Sequence, residues 1–130
     1  MSKLSRQQLI DLAVHSYFGN VDKKNMDEVL ACMHEDIVVT IQTDHLSHSR
    51  IDGVRKMFET LFSTYKKTWH GDFEVTADEE NQTVATRFNV TLEKPDGTFD
   101  PSMKNCNFFY VENGKFRRYY VFMDGVSVLP

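Results

Sequence analysis

The sequence predicts an α+β fold in which three N-terminal helices pack in the concave face of a strongly curved sheet, mixed but mostly antiparallel, to give a cone. Three observations predict it. Apolar residues recur at helical spacing through the first half, most regularly at Val54, Met57, Phe58, Leu61, Phe62 and Tyr65. After Trp69 the period changes to two and stays there. Turn signals then divide the second half into strands, Asn113-Gly114 being the strongest short hairpin signal.

The elements follow in order. Ser5 with Gln8 reads as a capping box, and Leu9, Leu12, Ala13 and Tyr17 form one apolar helical face. Gly19-Asn20 supplies a stop for this helix. Asn25 is placed to cap a second helix, with Glu28 at its third position and Met26, Val29, Leu30 and Met33 as the buried stripe. Ile37 to Ile41 is a β-branched strand, and the polar stretch Gln42 to Asp52 reads as a loop. The third helix starts near Val54. Phe73 and Val75 then alternate with charge, Asp78 to Asn81 turns the chain, and Thr83 to Leu92 alternates until Pro95-Asp96-Gly97. Asn105 to Val111 and Lys115 to Met123 complete a four-strand antiparallel meander. Strands of about ten residues run roughly 33 Å, so they must twist and curve to cover the helices.

Composition narrows the function classes. The 130 residues are one domain's worth, enough to bury roughly two-thirds of the unfolded surface, and a 41% hydrophobic fraction with ten Phe and five Tyr belongs to a globular chain. A net charge of −4 without a cationic run argues against nucleic acid as a partner. No apolar run approaches a bilayer span and the polar start resembles no cleaved leader, so the expectation is a soluble cytoplasmic protein with no membrane partner. Cys32 and Cys106 lie in apolar patterns without metal or redox spacing and read as buried free thiols. His45 and His48 beside Asp44 lack a third ligand at a fixed spacing, so no metal is expected.

The motif Tyr17, Val21-Asp22, Asn25-Met26-Asp27, Leu30 and Asp36 leading into a strand resembles the SnoaL-like branch of the nuclear-transport-factor-two-like superfamily. That superfamily includes ketosteroid isomerases, polyketide cyclases, limonene-epoxide hydrolases and scytalone dehydratases, and the resemblance covers nearly the whole chain. It implies the cone fold and a pocket for a small hydrophobic ligand without fixing the reaction, because one fold hosts many chemistries. An isomerase would match Tyr17 but would need its base and acid where Ile41 and Cys106 stand. An epoxide hydrolase would match Arg87, but Asn89 and Val121 replace its carboxylates, and an amide cannot take a proton from water. The dehydratase pattern survives best: Asp22, His70 and Asn105 match, while Val21 and Ile41 replace its tyrosines and its second histidine is missing near Lys94.

The surviving residues define a candidate site. A carboxylate beside an imidazole holds the ring in one tautomer, ready to exchange a proton near neutral pH. Asp22, His70 and Tyr17 are therefore the catalytic candidates, and Arg87, Asn89, Asn105, Trp69 and Tyr119 the candidate ligand contacts. Plainer roles stand beside these: Asp22 as a turn cap, Tyr17 as core packing, His70 as a structural residue at a strand start. Arg87 and Asn89 share one face, which is either the pocket or an outer face, and Asn105 and Cys106 point to opposite faces. The functional expectation is a cofactor-independent lyase or isomerase acting on a small oxygenated compound. A ligand-binding module and a structural dimer are the alternatives, the aromatic strand faces favouring a homodimer.

Overall fold

A computed structural model describes residues 3–130. Helix α1 (Arg6–Asp11) is opened by the expected capping box, Ser5 Oγ accepting from the Gln8 N–H at 3.1 Å and Gln8 Oε1 from the Ser5 N–H at 2.8 Å. The helix does not stop at Gly19. It continues through a π-helical segment (Leu12–Phe18) into α2 (Gly19–Asp22), with Gly19 in ordinary helical conformation and its N–H on the Val14 carbonyl. Burial of Tyr17, Phe18 and Val21 on one side carries the helix past the glycine. The turn comes at Lys24, with φ of 56°, whose ammonium donates to the Phe62 and Tyr65 carbonyls at 2.9 and 2.6 Å, a cation at the end of a helix.

Helix α3 (Met26–Ala31) starts after Asn25, but the Asn25 side chain makes no capping bond. Strand β1 (Met33–Ile41) begins four residues before Ile37. A short strand β2 (Leu46–Ser49) lies within the stretch expected to be a loop, pairing Val39 with His48 and Thr40 with Ser47. Its mostly polar sequence hides it: this is an edge strand whose ladder is supplied by β1. Helix α4 (Arg50–Thr64) buries Val54, Met57, Phe58 and Leu61, as its period requires.

Strands β3 (Lys67–Asp78), β4 (Thr83–Glu93), β5 (Met103–Glu112) and β6 (Lys115–Phe122) form the antiparallel meander. The six-stranded order is β2-β1-β6-β5-β4-β3, with β1 parallel to β6. The sheet curls around the helices without closing into a barrel. A bulge at Gly71 and Asp72, where Asp72 takes φ of 53°, bends β3. Asn113 and Gly114, at φ of 52° and 79°, make the tight β5–β6 hairpin. Cys32 is buried, but Cys106 is exposed, because strand alternation turns it outward beside the inward Asn105 and Asn107. Among the described residues no helix is long and apolar enough to cross a membrane, and no group of three metal-ligating side chains converges.

Candidate active site

The continued helix carries Asp22 to the start of β3, where its carboxylate accepts three hydrogen bonds. Oδ2 takes the His70 backbone N–H at 2.8 Å, and Oδ1 takes the Thr68 hydroxyl at 3.2 Å and stands 2.5 Å from His70 Nδ1. An ionised carboxylate only accepts, so Nδ1 is the donor of this bond and Nε2 is the ring nitrogen left outside the pair. The side chains are shielded but reachable, 12% exposed for His70 and 22% for Asp22. Phe18 and Phe88 flank the imidazole at ring-centre distances of 4.9 and 5.6 Å.

His70 faces a cavity inside the cone. Its polar lining comes from Tyr17, Thr68, His70, Asn105 and Asn107, and its apolar walls include Phe18, Phe58 and Phe88, with Val128 and Leu129 also lining it. The free volume is only about 40 Å³. Tyr17 and Tyr119 share a hydroxyl hydrogen bond at 2.6 Å within an aromatic cluster. Burial pushes both phenols above the usual tyrosine range, so both stay protonated donors near neutral pH. Asn105 Oδ1 accepts the Asp124 N–H at 3.2 Å, whereas Asn107 Oδ1 is buried with no partner.

The structure thus brings His70, Tyr17 and Asn105 to one cavity, with Asp22 behind His70 and Tyr119 behind Tyr17. It separates three other candidate contacts from that cavity. Arg87 and Asn89 point outward together, bound to Glu74 at 2.7 Å and Asp72 at 2.9 Å, because Phe88 takes the inward position between them. Trp69 is also outward, 41% exposed. Of Asn105 and Cys106, it is Asn105 that lines the cavity. Thr68 and Asn107 were not among the expected residues. Both follow from alternation once a neighbour is fixed: Thr68 lies two before His70, and Asn107 two before the buried Phe109.

These features define a class, an α+β cone whose inner end holds a shielded carboxylate and imidazole pair. Residues 14–119 match the SnoaL-like domain family, and the chain belongs to it. Among solved structures, a candidate polyketide cyclase from Xanthomonas campestris pv. campestris is 20% identical, with 90% of each chain covered and a TM-score of 0.80. PrhC from Penicillium brasilianum is 19% identical, covering 92% of this chain and 82% of its own, with a TM-score of 0.77. A protein of unknown function with a cystatin-like fold from Methylobium petroleophilum is 14% identical, covering 97% and 82%, with a TM-score of 0.76. These TM-scores show a shared cystatin-like fold. No curated protein sequence matches the chain.

Proposed function

We propose that the chain is a cofactor-independent lyase or isomerase, of the dehydratase or cyclase kind, acting on a small apolar oxygenated compound. The observation that carries the reading is Asp22 gripping Nδ1 of His70 while the ring borders the cavity. In this reading Nε2 takes a proton from the carbon beside a carbonyl. The Tyr17 hydroxyl, with Tyr119 donating to it, or the Asn105 amide Nδ2, donates to the oxygen on which negative charge grows. The proton on Nε2 then returns to another carbon, or to a departing hydroxyl that leaves as water. The resemblance to the scytalone-dehydratase branch and the polyketide cyclase named above support this class of chemistry.

The test is turnover on a panel of β-hydroxy ketones, followed by enone absorbance. His70→Ala should lose about 10²–10⁴-fold. Asp22→Asn presents an N–H to Nδ1, reverses the tautomer and should lose at least about 10²-fold. A fully active His70→Ala protein overturns the assignment. The small free volume, about 40 Å³, favours a second reading, a dimeric scaffold domain that has kept the cone without turnover.

We also propose a homodimer formed through the outer face of β5 and β6. Phe108, Tyr110, Tyr120 and Phe122 cluster there, with Arg118 over Tyr110 and Tyr120. Light scattering in dilute solution should give twice the chain mass; a monomer mass refutes the pairing.

A further inference from the structure

A groove of about 590 Å³ lies beside the inner cavity, between the end of α4, the 100–103 segment and the 124–130 segment. Leu92, Met103 and Val128 line both spaces. The volumes differ in what they admit. About 40 Å³ holds ordered water and no ring, whereas the groove falls within the roughly 300–1,000 Å³ of small-molecule sites.

The three shared residues are held differently. Leu92 and Met103 belong to β4 and β5 and are fixed by the sheet. Val128 lies in a segment without regular structure. Asp124 is tied to the sheet, through its N–H on Asn105 Oδ1 and its Oδ2 on the Lys104 N–H, each at 3.2 Å. Beyond it, among the described residues, one hydrogen bond joins the segment to the body, His48 Nε2 with the Leu129 carbonyl at 3.2 Å. The other bond within it, Leu129 N–H to Ser127 Oγ, is local. Val128 and Leu129 are half-buried against the core, and a wall with so few hydrogen bonds belongs to the less stable parts of a fold.

The charge of the groove selects its occupant. Asp100 and Asp124 line it, and no Lys, Arg or His does. Asp100 is held by the Tyr65 hydroxyl at 2.6 Å and Lys94 at 3.0 Å, so it remains ionised. Lys94 offsets Asp100, so the charge an anion meets in the groove is that of Asp124, which has no cation partner among the described residues.

We propose that groove and cavity are the outer and inner compartments of one binding site, parted by Val128 and Leu129, and that the groove holds the apolar body of a neutral or cationic ring compound. The identity of the inner end as the reacting end rests on the His70 reading above; the compartments do not.

The test is nuclear magnetic resonance titration of the full chain with 2-acetonaphthone, a neutral probe, and with 2-naphthoate, its anionic near-isostere. The ketone should move the Thr64 and Val126 amides and the His70 ring signals together, and bind at least tenfold more tightly than the carboxylate. Thr64→Trp, at an exposed position of α4 outside the cavity, should weaken ketone binding about tenfold. Val128→Ala should tighten it several-fold by easing the wall aside. Equal affinity for the two probes, indifference to Thr64→Trp, groove signals that move without His70, or no binding of either probe each overturn the proposal. If these effects appear while His70→Ala keeps full turnover, the catalytic reading falls and the two compartments stand. If turnover depends on His70 but the groove stays silent, the reverse holds.

Discussion

At the floor of the cavity Asn107 Oδ1 is buried with no hydrogen-bond partner, an arrangement that destabilises a fold by about 1–3 kcal/mol. Asn107→Leu replaces the amide with an apolar side chain of similar length. It should raise the unfolding free energy by about 1 kcal/mol in urea titration; a loss of stability would mean that the amide is satisfied in solution. The Asp22 carboxylate is the opposite case, with three donors converging on two oxygens. Two polar side chains thus differ in kind: one is fully used by the fold, and the other is open to a ligand or to water.

At the scale of elements, β3 is shaped by a close approach. A Cβ on Gly71 would stand 2.0 Å from the Trp69 ring, which lies across the strand on the outer face. Gly71→Ala should therefore displace the only tryptophan, red-shifting its fluorescence and lowering stability by about 1 kcal/mol. The same change should be nearly neutral in a Trp69→Ala background; equal losses in both backgrounds would show that the ring is not the obstacle. Most of this architecture is legible in the sequence. The α4 period, the alternation of β3 to β6 and Asn113-Gly114 are local signals strong enough to survive tertiary context. Three features are not legible for physical reasons. Gly19 permits a stop without imposing one, so burial of the residues around it decides. Strand β2 has no apolar alternation and exists because β1 offers a ladder. The outward turn of Arg87 and Asn89 depends on which face Phe88 takes, and alternation gives the pairing of faces but not their direction. The Asp22 and His70 contact was readable only through resemblance, since residues 48 positions apart carry no local sign of it.

For the whole molecule, the buried acids set an alkaline limit. Burial, with Glu28 nearby, raises the Cys32 thiol from 9.0 to about 11. Burial and the Asp100 contact raise Tyr65 from 10.0 to about 12. Tyr17 and Tyr119 are raised as well. Below pH 9 folded and unfolded chains both hold these protons, and their contribution is constant. As pH rises from 9, the unfolded chain releases protons that the folded one keeps, so stability falls. The melting temperature should be flat from pH 7 to 9 and decline above it, with tyrosinate absorbance at Tyr17 and Tyr119 appearing only on unfolding. A melting temperature unchanged to pH 11 would contradict this.

The position of β6 has a consequence for synthesis. The last of the six strands in sequence is hydrogen-bonded between β1 and β5. Until Lys115–Phe122 has been translated, the β1–β2 hairpin and the β3–β5 sheet are separate pieces, each with an unpaired apolar edge, and the aromatic core shared by Tyr17 and Tyr119 lacks one of its halves. The nascent chain must therefore wait with open sheet edges for its final strand, which makes its folding late, dependent on distant contacts and exposed to association with other chains during that interval.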